Sequence, residues 1–215
     1  MQRVALIDYG SGNLRSAERA LNEAARRSES QTAVEVTSDP GVVRQAERIV
    51  LPGVGAFAAS MEGLHARPGL IEAMTEAVQQ RGAPFLGVCV GMQLLADRGL
   101  EFGEHAGLGW IGGEVRRLEP ADPALSVPHM GWNTVEAVRP HPLLPDGAGM
   151  YYANSFAFHP DDEAVVTAVS DHGGRFTAAV ARDNIAGVQF HPEKSQVAGL
   201  ELLARFLAWR PETRA

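Results

Sequence analysis

The one cysteine among 215 residues, Cys89, stands in Gly87-Val88-Cys89-Val90-Gly91, and a late segment runs Val188-Gln189-Phe190-His191-Pro192-Glu193. A thiol nucleophile needs an imidazole to take its proton and return it to a leaving group. The imidazole in turn needs a carboxylate to fix its tautomer. Cys89, His191 and Glu193 are candidates for those three roles. Gly-x-Cys-x-Gly after an apolar run has the form of a nucleophile elbow, a tight strand-to-helix turn with cysteine in place of serine. The flanking glycines admit close backbone approach, and a helix N-terminus favours the thiolate. The N–H of Val90 would then donate to an oxyanion on the substrate carbon. The same cysteine also fits a small buried hydrophobe at a strand end.

His191 and Glu193 are two residues apart, so in extended chain they share a face, and Pro192 biases His191 toward that extended region. An isolated His-Pro-Glu is equally compatible with an ordinary loop. Position ties the two segments together: both follow the C-terminal ends of apolar runs, where parallel sheets carry their sites. Gly53-Val54-Gly55 suits a backbone-donor loop beside Cys89 that supplies a second oxyanion N–H, although a plain strand-to-helix turn has the same pattern. Two glycine stretches come near a dinucleotide fingerprint. The stretch 8–13 fails at the third glycine, where Arg15 stands, and 53–58 lacks the acidic residue about 20 positions on. His65, His105, His129, His141, His159 and His172 are expected in turns or irregular segments, with no metal-ligand spacing. No metal and no cofactor is expected.

The elements that must hold these residues follow from periodicity. Short apolar runs alternate with helical patterns, which predicts an α/β fold. It is expected to be one domain over residues 1–215, with a central mixed, mostly parallel sheet flanked by helices. Strands are predicted at 4–7, 34–37, 48–51 and 84–88, and helices at 14–25, 70–78 and 92–96. From about residue 101 to 146 glycine and proline become frequent. Short strands at 113–118 and 134–138 suggest antiparallel elaboration there. Strands at 151–153, 164–169, 176–181 and 186–190 precede an amphipathic helix at 197–209, with Leu200, Leu203, Ala204 and Leu207 on one face.

Composition bounds the function. Apolar residues make up 45% and charged residues 21%, ordinary for a globular chain and enough for a core without disulfides or metals. A net charge of -7 with scattered Lys and Arg argues against nucleic-acid binding. One cysteine excludes an internal disulfide framework and Cys-rich zinc sites, and makes a reducing, cytoplasmic location the default. No stretch approaches the roughly 20 apolar residues of a membrane span. The first apolar run breaks at Asp8, too early for a signal sequence.

Five segments, spread in order over nearly the whole chain, carry a resemblance. They are Ile7-Asp8-Tyr9-Gly10-Ser11-Gly12-Asn13-Leu14, Leu51-Pro52-Gly53-Val54-Gly55-Ala56-Phe57, 87–95, His129-Met130-Gly131-Trp132-Asn133 and 188–195. Together the sequence resembles the class I, triad-type glutamine amidotransferases, and among them the glutaminase subunits of imidazole glycerol phosphate synthases. The Gly-x-Cys-x-Gly and His-Pro-Glu pair marks the broad class; the first and fourth segments are more specific to the subunit. The resemblance implies a Cys89–His191–Glu193 triad acting on L-glutamine, an oxyanion loop at Gly53, Val54 and Gly55 with Val90, and a glutamine pocket that includes Gln93. It implies a (β/α)8-barrel synthase subunit as partner in a heterodimer of histidine biosynthesis, with Asn13, Trp132, Asn133 and Lys194 near it. One departure stands out: Asn154-Ser155-Phe156 replaces the usual His-Ser-Tyr of the pocket.

A chain of this size has no room for a synthase domain, so ammonia would be lost without a partner. Alternatives are the glutaminase of a different synthase, such as that making pyridoxal phosphate, a silent scaffold of the same fold, and a cysteine peptidase or other amide hydrolase.

Overall fold

Apolar runs buried on both faces predict parallel strands, and three of them form the middle of the molecule. The computed structural model describes residues 1–10, 13–145 and 147–211. Its first strands are β1 (Gln2–Ile7), β2 (Thr32–Thr37), β3 (Arg48–Gly53) and β4 (Phe85–Cys89). The short β5 (Arg98–Gly99), β6 (His105–Ala106), β7 (Gly113–Arg117), β8 (His129–Thr134) and β9 (Glu136–Ala137) follow. Next come β10 (Gly149–Asn154), β11 (Phe156–Pro160), β12 (Val166–Asp171), β13 (Arg175–Arg182) and β14 (Ile185–Val188). An eight-stranded sheet has the order β2-β1-β3-β4-β14-β13-β12-β9. It is parallel from β2 through β14 and antiparallel from there to β9. The mixed, mostly parallel sheet is as the sequence predicts.

Two smaller sheets carry the elaboration: β8 pairs antiparallel with β10, and β11-β7-β5-β6 form the other. The helices are α1 (Leu14–Arg27), α2 (Pro40–Gln45), α3 (Phe57–His65), α4 (Leu70–Thr75), α5 (Val90–Gln93) and α6 (Gln196–Ala208). The apolar stripe of α1, with Ala20, Leu21, Ala24 and Ala25 buried, packs against α6, which buries Leu202, Leu203, Phe206 and Leu207. Each large side chain so buried stabilises the fold by about 1.5–3 kcal/mol.

Several elements differ from expectation. The predicted strand 134–138 is split: β8 ends at Thr134, Val135 turns inward, and β9 is a separate pair of residues on the large sheet. The start of 164–169 is a 3-10 turn, Glu163–Val165, because the Asp162 carboxylate accepts from the Ala164 N–H and winds the chain there. The 70–78 helix ends early at Thr75 and widens into a π-helical turn, Glu76–Gln80. The helix after Cys89 is a single turn, Val90–Gln93, rather than 92–96. Helices α2 and α3 were not predicted: α2 is six residues long, and α3 carries small residues and Gly63. No described helix is long and apolar enough to cross a membrane.

Candidate active site

Strand register builds the site. In the parallel ladder Gly53 of β3 lies opposite Cys89 of β4, and Val88 lies opposite Val188 of β14. Three neighbouring strands therefore end together and deliver the glycine loop, the thiol and the histidine segment to one edge. Cys89 takes φ 54 and ψ -113, a conformation costing about 1–3 kcal/mol, as it leaves β4 and becomes the cap of α5. Glycine at 91 permits that tight exit: a Cβ there would overlap the carbonyl oxygen of Leu51 on β3. A Cβ on Gly53 would crowd the Gly91 nitrogen at 2.6 Å, so the β3 loop rides directly on the first turn of α5. Val90 opens that turn, and its N–H belongs to the set without an intrahelical acceptor.

The structure brings Cys89, His191 and Glu193 together. His191 adjoins Cys89 on one side, closely enough for the thiol to govern its pKa, and its Nδ1 meets Glu193 Oε1 at 2.9 Å on the other. His191 is extended, at φ -104 and ψ 96, but Pro192–Lys194 is a 3-10 turn. The two side chains thus meet across the first turn of a helix, and the expected sharing of one strand face is corrected. The turn forms because Pro192 is pre-set for a first helical position. Burial pulls the His191 pKa down, but the hydrogen bond to Cys89, that to Glu193 and the charges of both outweigh it and raise it from 6.5 to about 9. That balance favours an imidazolium beside the sulfur.

Strand β10 fixes the backbone of His191. Its N–H donates to the Tyr151 carbonyl at 2.8 Å, and its carbonyl accepts from Ser195 Oγ at 2.6 Å. Ser195 Oγ also accepts from the Tyr151 N–H at 2.9 Å. Asn13, left-handed at φ 72 ahead of α1, donates from Nδ2 to the same Glu193 Oε1 at 2.8 Å. Ser195 was not singled out from sequence, and Asn13 was expected near a partner rather than on Glu193. Ser11 and Gly12 of the same segment lie outside the described residues.

A cleft of about 340 Å³ opens on the sulfur, lined by Val54, Gly55, Val90, Gln93, Glu101 and Lys194 among others, with Asn154, Ser155 and Phe156 across from the thiol. Gly55, at φ 99, needs the freedom of glycine. Gln93 lines the cleft but donates from Nε2 to the Phe156 carbonyl and to Gln189 Oε1, both at 3.0 Å. Asn154 is buried, and its Nδ2 donates to the same Phe156 carbonyl at 3.0 Å. Glu101, which no motif flagged, sits in the cleft and accepts from the Phe57 N–H at 2.8 Å through Oε2. Its only sequence signal is an acid between a glycine-bounded pair of short strands.

The residues expected at a partner surface divide. Trp132, 52% exposed, packs edge-on against Tyr151 at 6.1 Å, and Lys194 Nζ lies 5.9 Å from the same ring. Asn133 points to the other face of β8, as strand alternation requires, and donates to the Asp171 carbonyl at 2.7 Å. The spare histidines are more ordered than expected: His65 ends α3, and His105, His129 and His159 lie in strands. His129 stacks on His172 at 4.1 Å, and burial first, then the His172 charge, lowers its pKa to about 4. Among the described residues no His, Cys, Asp or Glu group could hold a metal ion.

Comparison with known proteins agrees with this geometry. The family model for glutamine amidotransferase class-I matches residues 5–209. The imidazole glycerol phosphate synthase subunit HisH of Caulobacter vibrioides is 63% identical over 214 residues, covering 98% of this chain and 100% of its own. That of Zymomonas mobilis is 56% identical, covering 97% and 96%. Among solved structures, a glutamine amidotransferase matches with TM-score 0.70 at 17% identity, covering 95% of this chain and 98% of its own. One from Thermotoga maritima matches with TM-score 0.62 at 18% identity, covering 96% of each; at such identities these two speak for the fold alone. Full-length identity of this order, on a fold and a thiol site of this form, means that the chain is an enzyme of the class-I glutamine amidotransferase family and belongs among the HisH subunits of imidazole glycerol phosphate synthase.

Proposed function

We propose that the whole chain is one glutaminase domain that hydrolyses L-glutamine with Cys89, His191 and Glu193, and hands the ammonia to a separate (β/α)8-barrel synthase subunit in histidine biosynthesis. The observation that carries this reading is the line from Cys89 through His191 to Glu193, with 2.9 Å between the last two, opening on the cleft. The Cys89 thiolate attacks the side-chain amide carbon. The oxyanion that forms is met by N–H groups of the 53–55 loop and of Val90. His191 gives its proton to the leaving nitrogen, the C–N bond breaks, and ammonia departs from a glutamyl thioester. Water then loses a proton to His191 as its oxygen attacks the thioester carbon. The C–S bond breaks, which restores thiolate and imidazolium, and the glutamic acid product ionises.

Glu193 holds the imidazolium in place, and Asn13 holds Glu193. The Glu101 carboxylate complements the ammonium of the amino acid, and Lys194 complements its carboxylate. Asn154, Ser155 and Phe156, with Gln93, form the facing wall. Relatives named as subunits support a partner, and the exposed Trp132 beside Tyr151 and Lys194 is a fitting edge for it. A thiol nucleophile suits the reducing cytoplasm. The test is Cys89→Ala in the complex. Glutamine-dependent synthesis is expected to vanish while synthesis from added ammonium salts persists. Retained glutamine use, or loss of both reactions in a folded complex, overturns the reading.

A further inference from the structure

Gln189 stands between Val188 and Phe190 in an otherwise apolar run, and it is fully buried. Its backbone N–H already has a partner in the Ala178 carbonyl, at 2.9 Å. A buried primary amide must satisfy its own donors and acceptor, and the way it does so fixes what it presents to the sulfur. The Phe156 carbonyl can only accept, so Gln93 must turn its Nε2 toward it, at 3.0 Å. The same Nε2 lies 3.0 Å from the Gln189 side chain, where only an oxygen can receive it. Gln189 therefore has Oε1 toward Gln93 and its NH2 group toward Cys89, with Nε2 at 3.6 Å from Sγ. Reversing the amide would set donor against donor at Gln93.

We propose that Gln189 is a second hydrogen-bond donor to the Cys89 thiolate, locked in that orientation by Gln93 and the Phe156 carbonyl. This rests on the reading of Cys89 as nucleophile. His191 and Gln189, two residues apart on the segment that leaves β14, then hold the sulfur with two different chemistries. His191 must release its proton during each half-reaction, whereas an amide N–H cannot transfer one at neutral pH. Gln189 thus stabilises negative charge on sulfur before attack and again when the thioester breaks, without competing for the proton. The charged groups around the sulfur are His191 with Glu193 behind it, and Glu101 and Lys194 in the lining of the cleft. Among these four residues and Gln189, only the last is a neutral, non-titrating donor. The locking carbonyl belongs to the proposed glutamine wall, and Asn154 Nδ2 also binds it, at 3.0 Å. Contact with substrate on that wall therefore reaches the sulfur through two amides.

The test uses the full chain without glutamine. Because Cys89 is the only cysteine, the mass gained with iodoacetamide reports this sulfur alone. Gln189→Met keeps length and volume while removing the donor. It is expected to move the half-maximal pH of the alkylation rate up by about one unit, which slows alkylation about tenfold at pH values well below that midpoint. Gln93→Met, which frees the amide to rotate, is expected to move it in the same direction by less. A folded Gln189→Met chain with the wild-type profile overturns the proposal and leaves the triad standing. Should that variant fail to fold, the wild type decides: the Gln189 side-chain amide resonances are expected to shift with the same pH profile as alkylation. Resonances indifferent to pH across that range overturn it.

Discussion

His191 in the native chain is expected to titrate near pH 9, and Cys89→Ala to bring that titration down. The imidazole is 2% exposed, so burial alone would hold it neutral. The hydrogen bond to Cys89, then that to Glu193, then the charges of both reverse the outcome, from 6.5 to about 9. At about 1.4 kcal/mol per pH unit, that gap corresponds to about 3 kcal/mol favouring the imidazolium in the folded state. Between pH 6.5 and 9 the folded chain holds a proton the unfolded chain has released. This contribution to stability is therefore complete below about pH 6.5 and disappears as pH rises through 9. Removing the thiol deletes the largest opposing cause and leaves Glu193 alone against burial, so the Cys89→Ala titration falls further than that of Glu193→Gln. Carbon-13 imidazole NMR of the seven histidines, assigned by loss of one signal in His191→Asn, reads it directly. Wild-type His191 titrating at or below 6.5, or a Cys89→Ala chain with an unmoved titration, would refute the reasoning.

Cys89→Ala/His191→Ala is expected to lose little more glutaminase activity than either change alone, since residues acting as one unit are not additive; multiplicative losses in single-turnover hydrolysis would count against the unit. Glu193→Gln is expected to lose less than either, as an orienting group does. Asn154→His is expected to change the Michaelis constant for glutamine less than about tenfold, or about 1.4 kcal/mol. The reason is that the Asn154 amide is already turned inward to the Phe156 carbonyl; a larger gain in steady-state assays would make position 154 a direct substrate contact. Gly91→Ala is expected to cost about 3 kcal/mol of stability in urea unfolding, because its methyl meets the Leu51 carbonyl. Near-wild-type stability would mean that β3 and α5 separate easily.

Legibility followed the range of the interactions. The buried strands β1, β3 and β4 were readable because a strand covered on both faces must be apolar throughout, and α1 because its stripe repeats at helical spacing. Helix α3 was not, since it is short, carries Gly63 in its interior and lacks a strong apolar stripe of its own. The two-residue strands are too short to show a period: β5 and β6 pair with each other and β5 with β7, and β9 forms only through pairing with distant β12. In the site, Cys89 and the His191–Glu193 pair were readable because each group carries a local backbone signature. Asn13 on Glu193 spans 180 positions and Glu101 on Phe57 spans 44, and no local pattern encodes such contacts. Gln189 had one sign, a lone amide in an apolar run, which says that something buried must receive it without saying what.

The two sides of the cleft belong to different hydrogen-bonded bodies. The thiol, glycine loop and histidine are carried by adjacent strands of the eight-stranded sheet. The facing wall bridges the end of β10 and the start of β11, which belong to separate small sheets. Hydrogen bonds described above join the sides, among them His191 N–H to the Tyr151 carbonyl and Gln93 Nε2 to the Phe156 carbonyl. A slide of one body against the other therefore pulls on His191 through Tyr151 and on Gln93 through Phe156, so the width of the opening and the surroundings of the sulfur change together. Changes in amide preference can arise by replacing residues on the small sheets, with the reacting groups left in their register.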